Sequence, residues 1–278
     1  MVAEGARYWA SRLEIDSVGA HLRNVIGPDE YHTHVADNFF TNLLAAWQLR
    51  KGAELFAWLG RRYPKKAREL SAQLVSVRDW RALADQVVLN RDERGIWEQH
   101  DGFFDLEPVS LSAYSPRQLA MYDLLGAERI EHAQVVKQAD VVMAMALLPN
   151  EVGSKRVRRA NWDFYQPKCD HGSSLSMAVH ARVASDLGLI DHGYRFLRGA
   201  MSIDLEDAMG NGRHGIHAAT QGGVLQACLF GFAGLGLSRG KPVTRPRLPR
   251  HWKAFNFAFF YRGARHEREL RQTEQKGG

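Results

Sequence analysis

The stretch Leu175–Met201, LSMAVHARVASDLGLIDHGYRFLRGAM, decides how the rest of the chain is read. Leu175–Leu187 and His192–Met201 each repeat apolar residues at helical spacing, and Gly188 breaks the run between them. Two helices joined by so short a break form an α-hairpin. Working outward, the pattern recurs. Phe39–Leu49, Ala53–Leu59, Ala67–Leu74 and Trp80–Val88 read as helices. Ser115-Pro116 opens another, with Ser as N-cap and Pro at the first helical position. Gln134–Leu148 is apolar on most sides, which predicts a buried helix, and Gly222–Leu235 is a further apolar helix. No sequence repeat of fixed period is present, but helices alternating with long loops indicate stacked α-hairpins. After Leu235 the texture changes. Pro242, Pro246 and Pro249 exclude a helix, and Phe255, Phe257 and Phe259 alternate within Ala254–Tyr261, which predicts a strand.

Composition narrows the function classes. The chain has 278 residues, 45% hydrophobic and 24% charged, close to an average globular protein and far from a disordered one. Its longest apolar run, Val141–Leu148, is less than half of the roughly 18 to 20 residues a membrane span needs. No signal peptide is read at Met1–Arg7, and two cysteines make no disulfide framework or zinc site, so a cytoplasmic protein is expected. The net charge of +6 collects in the last third, where aromatic residues alternate as a strand face rather than interleave as a stacking surface. Neither nucleic acid nor membrane is an expected partner.

Four long polar loops separate the helices: Gly27–Asp37, Asn90–Val109, Val152–Ser174 and Asp204–Gly223. Loops of this length in a helical domain are usually functional. The first carries Gly27-Pro28-Asp29-Glu30-Tyr31-His32. A carboxyl at such a loop tip suits a general acid, although acids before a helix also complement its dipole. Lys137-Gln138 falls inside the predicted buried helix. It either snorkels to an edge or reaches a polar ligand such as sugar hydroxyls or an anion. Asp170-His171-Gly172-Ser173-Ser174-Leu175-Ser176 leads into a helix, where backbone N–H groups and hydroxyls can cradle an anion or simply cap. In Gly210-Asn211-Gly212-Arg213-His214-Gly215-Ile216-His217, followed by Gln221-Gly222-Gly223, His217 can donate to phosphate or cap a carbonyl. No P-loop and no strand-flanked dinucleotide fingerprint is present.

Taken in order, these loops closely resemble glycoside hydrolase family 65, which includes maltose, trehalose, kojibiose and nigerose phosphorylases. The likeness also takes in Asn161–Tyr165, Trp97-Glu98-Gln99, Asp101–Phe104 and Asn38–Asn42, and runs from about Ala6 to Tyr261. The resemblance implies an all-α catalytic domain, here about the C-terminal half of an (α/α)6 barrel over residues 1–238. A short β-containing C-terminal segment and tail would follow over 239–278. It implies Glu30 as general acid, Lys137 and Gln138 as substrate contacts, and Ser173, Ser174 and His217 as the phosphate site. No metal and no cofactor is expected, inorganic phosphate being a co-substrate. His100 stands where the family usually has Phe, and Cys169 precedes the Asp-His-Gly motif with no role that the resemblance assigns.

A phosphorylase needs one carboxylic acid, because phosphate is already an anionic nucleophile and a second carboxylate at its place would repel it. The serine-rich cradle favours inverting phosphorolysis of an α-glucosyl disaccharide to β-glucose 1-phosphate and a released sugar. The alternatives are an inverting hydrolase of the same family, with Glu98 or Asp170 as base, and a non-catalytic subunit. Family members are more than twice as long, so the missing N-terminal half or a second copy is an expected partner. The chain alone is expected to be inactive and to associate through the apolar faces of Phe39–Leu49 and Val224–Leu235.

Overall fold

The computed structural model of the chain describes residues 1–73, 79–116 and 119–272. Helices dominate, with three small two-stranded antiparallel ribbons among the described residues. The chain divides into two compact units, Met1–Asp170 and His171–Gly278.

In the first unit, helix Val2–Arg12 and helix Trp80–Gln86 both pack on the long helix Phe39–Arg62. The predicted helices Phe39–Leu49 and Ala53–Leu59 are one continuous element of 24 residues. Its start is fixed by Asn38, whose side-chain oxygen accepts the Thr41 N–H at 3.0 Å, the geometry of an N-cap. The apolar face of Phe39–Leu49 is not open, as the sequence suggested. Leu43, Ala45, Ala46 and Leu49 are buried, and the last three belong to a core with Ala6, Leu13, Leu22, Trp80 and Val87. The helix predicted over Ala67–Leu74 is Pro64–Gln73, and Leu74 lies outside the described residues.

Three further readings of this unit need correction. The helix expected to open at Ser115-Pro116 begins instead at Met121. Ser115 closes the turn Leu111–Tyr114 in extended backbone, the conformation proline imposes on its predecessor, and residues 117–118 lie outside the described set. The helix expected over Gln134–Leu148 spans only Asp140–Leu147. Upstream, Gln134 N–H donates to Glu107 O, Val136 N–H to Lys168 O, and Asp170 N–H to Val136 O at 2.8–3.0 Å. Backbone groups spent across neighbouring segments cannot close helical i→i−4 bonds, so Lys137 and Gln138 stand on a bend ahead of the helix rather than inside it. Lastly, the predicted loop Val152–Ser174 contains helix Lys155–Tyr165, capped by Ser154. Its polar composition hides it: the buried side is only Asn161, Trp162 and Tyr165.

The second unit is built on the α-hairpin within Leu175–Met201. Ser176–Leu187 and Ile190–Leu205 are helices, and Gly188 between them takes φ 87°, the left-handed C-cap that glycine accepts without strain. A third helix, Ala218–Gln226, continues into a wider turn over Ala227–Phe232, where Ala233 N–H reaches back to Cys228 O at 2.9 Å. This helix starts four residues before the predicted Gly222. Its outer side exposes Leu225 and Phe230, while Ala227, Phe232 and Ala233 are buried with Ala181, Leu197 and Leu248. Ribbon Gly236–Ser238/Lys241–Val243 follows, then strand Ala254–Tyr261, which has the predicted bounds and pairs with Ala264–Arg271. Phe255 and Phe257 face this core with Trp252 and Leu270. Residues 273–278 of the predicted tail lie outside the described set.

Candidate active site

A two-stranded bridge sets up the loop that carries Glu30. Val25 and Val35 exchange N–H···O bonds at 3.0 Å, so Gly27–His34 forms the end of a hairpin instead of a lead-in to the helix. The helix dipole reading of Asp29 and Glu30 therefore fails: the first turn of Phe39–Arg62 holds no acidic residue, and Asn38 caps it.

Inside the hairpin the carboxylates divide sharply. Asp29 is 1% exposed and Asp140 0%, whereas the Glu30 side chain is 56% exposed. Asp29 accepts Lys137 N–H at 2.8 Å and Tyr31 N–H at 3.3 Å on one oxygen, and Gln99 Nε2 at 2.9 Å and His32 Nδ1 at 2.7 Å on the other. Asp29 N–H donates to Asp140 Oδ1 at 2.7 Å, and Asn38 Nδ2 donates to Asp140 Oδ2 at 2.5 Å. Gly27 is required here: a Cβ would overlap the Asp140 carboxylate and the Asn38 amide. The far end is pinned by Tyr31, whose hydroxyl donates to Asp170 Oδ2 at 2.7 Å, and by His32 Nε2, which meets Ala133 O at 3.0 Å.

Only Glu30 and Lys137 leave this buried node for solvent, and they meet there, Nζ to Oε2, at 2.7 Å. Gln138 turns the other way. Its side chain is buried and donates to the Pro28 carbonyl. The structure thus brings Glu30, Lys137 and Gln138 together around one loop. Of the two carboxylates considered as a hydrolytic base, Asp170 is buried and receives Tyr31 Oη–H and Met121 N–H, and Glu98 is half-buried and accepts Phe104 N–H at 3.2 Å. Burial pushes the Glu98 carboxyl above its ordinary range.

Burial pushes the Asp140 carboxyl well up too, helped by the facing Asp29 charge. Above the ordinary aspartate value of 3.8 the unfolded chain gives up this proton while the folded chain keeps it. The contribution of Asp140 to stability therefore falls as pH rises from that value toward its higher folded one. In urea unfolding across this window, the stability of wild type minus that of Asp140→Asn is expected to decline with rising pH. A difference that is flat or rises would reject the buried neutral acid.

In the second unit, Ser173 Oγ accepts Leu175 N–H at 3.3 Å and so closes a local turn ahead of helix Ser176–Leu187. The Ser174 hydroxyl has no hydrogen-bond partner among the described residues, and the Ser174 carbonyl accepts Thr220 Oγ1–H at 3.0 Å. Thr220 lies one turn into the helix that His217 precedes, so this bond ties the serine loop to the His217 loop. Asp204 orients His217 by accepting its Nδ1 at 2.7 Å and its backbone N–H at 3.1 Å. The Asp204 carboxyl is held below its usual range, chiefly by the His217 hydrogen bond and then by Gln221.

The supporting roles of Asp29, His32, Gln99, Asn38, Asp140 and Asp204 are not evident in the sequence. Their signal was faint. Nothing local reveals that Asp140 lies 111 residues from the amide it holds, or that Asp204 holds a histidine 13 residues on. Asn161 is similar: from the middle of a helix its amide holds Gly95 O and Trp97 N–H, both at 2.9 Å.

The family model described as the glycosyl hydrolase family 65 central catalytic domain matches residues 1–226. A kojibiose phosphorylase from Halothermothrix orenii is 32% identical over 271 residues, covering 94% of this chain and 34% of its own length. A nigerose phosphorylase from Lachnoclostridium phytofermentans is 30% identical, covering 96% of this chain and 37% of its own. A solved structure of a candidate kojibiose phosphorylase from the human microbiome superimposes with a TM-score of 0.87 at 24% identity, over 97% of this chain and 38% of that one. The chain thus spans about a third of the length of the curated relatives it matches. With the family model covering most of its residues, the chain belongs to glycosyl hydrolase family 65.

Proposed function

We propose that the chain carries acid and phosphate-binding loops for inverting phosphorolysis of an α-glucosyl disaccharide, within an (α/α)6 catalytic architecture. The observation that carries this reading is the sorting of carboxylates around one hairpin. Asp29, Asp37, Asp140 and Asp170 are buried and engaged by donors, Glu30 faces outward beside Lys137, and the other exposed carboxylate at the hairpin, Glu131, takes the Thr33 hydroxyl. One available acid is what phosphorolysis requires. The C1–O bond breaks with its electron pair on the departing oxygen, and Glu30 supplies the proton that oxygen needs. A phosphate oxygen bonds to C1 from the opposite face. The proton brought by phosphate returns to Glu30 through solvent, and the sugar leaves as β-glucose 1-phosphate.

Lys137 and Gln138 are proposed to meet the sugar. Their attachment to Glu30 and Pro28 supports this, since whatever positions the acid also positions them. Ser173, Ser174 and His217 are proposed to bind phosphate, supported by the unspent Ser174 hydroxyl and the oriented imidazole. Names of relatives agree: kojibiose and nigerose phosphorylases are among them. The hydrolase alternative needs a second free carboxylate, and the donors on Asp170 and Glu98 speak against either.

The experiment is a glucose 1-phosphate assay, on the chain reconstituted with the part of the relatives' length that it does not span, with a panel of α-linked glucosyl disaccharides, with and without phosphate. Product that appears only with phosphate supports the proposal, and glucose released equally without phosphate overturns it. Within the same assay, Ser174→Ala is expected to raise KM for phosphate by about 10-fold or more, the loss of one hydrogen bond to a charged group. KM for the sugar should move little. Equal changes in both would assign the serine to folding.

A further inference from the structure

The two outward groups, Glu30 and Lys137, are separated by 107 residues in sequence, yet they meet at 2.7 Å. Neither has enough packing of its own to fix that meeting: Glu30 is exposed and Lys137 is a flexible chain 26% exposed. What fixes it lies directly beneath. The Asp29 carboxylate binds the backbone on both sides of the pair, taking Tyr31 N–H next to Glu30 and the N–H of Lys137 itself. Its second oxygen is held in place by His32 and Gln99, and its own N–H is anchored on Asp140.

Only a carboxylate satisfies this set. Four donors converge on two oxygens, and a carboxylate offers about four lone-pair sites, whereas an amide has one oxygen and brings two donors of its own. Asn at position 29 would turn an NH2 group either against Lys137 N–H and Tyr31 N–H or against Gln99 and His32. The acid loop and the Lys137 segment would then be free to separate. A displacement of about 1 Å at reacting groups can cost on the order of 100-fold in rate.

We propose that Asp29 is a positioning residue: its carboxylate fixes Glu30 and Lys137 as one rigid pair, and turnover depends on Asp29 through the placement of Glu30. The proposal rests on the reading of Glu30 as the acid of a phosphorolysis. Its test uses the full chain and two measurements. The first is hydrogen exchange of the Lys137 amide, which needs no turnover. Asp29→Asn is expected to speed it by about 10-fold or more, the factor equivalent to losing one hydrogen bond, and Glu30→Gln to leave it unchanged. The second is phosphorolysis of a disaccharide compared with α-glucosyl fluoride, whose fluoride leaves without needing the acid's proton. Asp29→Asn should lower kcat for the disaccharide by roughly 10- to 100-fold and spare the fluoride, the same split as Glu30→Gln.

Unchanged exchange overturns the proposal, as do equal losses on the two donors, which a merely structural residue would give. If Asp29→Asn does not fold, Gln99→Met removes one of the four donors and should show the same split at smaller size; its absence is equally decisive. Wild-type protein that turns over neither donor even when supplied with the part of the relatives' length that this chain does not span, with Lys137 exchange still governed by Asp29, would remove the functional reading. The node would then be structural only, which overturns the positioning role and is told apart from the other failures by the intact exchange effect.

Discussion

In a preparation reconstituted with the part of the relatives' length that this chain does not span, Glu30→Gln is expected to lower kcat for phosphorolysis of an α-glucosyl disaccharide by at least about 100-fold, the low end for removing a general acid. The substitution is close to isosteric. Its amide oxygen can still accept from Lys137 Nζ, now 2.7 Å from the carboxylate, so the loop keeps its shape. What disappears is the proton. The expected signature is therefore a loss in kcat with little change in KM and an unchanged melting temperature. An activated donor such as α-glucosyl fluoride should recover most of the rate, because its leaving group does not need protonation. Near-wild-type turnover of an unactivated disaccharide by this variant would reject Glu30 as the acid, whatever the fate of the remaining assignments.

Trp80→Ala is expected to destabilise the Met1–Asp170 unit by about 3–5 kcal/mol, the usual cost of deleting a fully buried aromatic side chain. Trp80 is 1% exposed and sits in the core formed by helices Val2–Arg12, Phe39–Arg62 and Trp80–Gln86, edge-on to Phe56 at 5.8 Å between ring centroids. Against a typical net stability of about 5–15 kcal/mol the loss is large. For a unit of this size it corresponds to a fall in Tm of roughly 6–20 °C. Trp80→Phe should cost much less. The indole Nε1 is buried with no hydrogen-bond partner among the described residues, so removing it also removes an unsatisfied donor. A thermal melt of Trp80→Ala within about 2 °C of wild type would be below the shift expected from 1 kcal/mol and would show that this core does not hold the unit.

The sequence alone determined the helical hairpin at Leu175–Met201, the Phe39 start of the long helix and the bounds of strand Ala254–Tyr261. Each is a local matter: periodicity and a helix-breaking glycine act within a few residues. It also made the family legible, because the reactive residues stand in short motifs whose order survives without any knowledge of contacts. The tertiary structure decided what those motifs do to one another. Lys137-Gln138 reads as helical in isolation, yet Glu107, Lys168 and Asp170 claim the backbone of that segment and keep it out of the helix. Helix Lys155–Tyr165 was invisible because its buried side is earned by an amide, Asn161, that pairs with a loop 64 and 66 residues away. The face of Phe39–Leu49 looked open and is covered, since helix Val2–Arg12 and Trp80 close over it. The division of labour at the hairpin is the clearest case. Asp29 and Glu30 are adjacent and chemically alike. Only the arrival of Gln99, Lys137 and Asp140 from distant segments buries one and leaves the other in water, because a carboxylate enters a protein interior only where enough donors meet it.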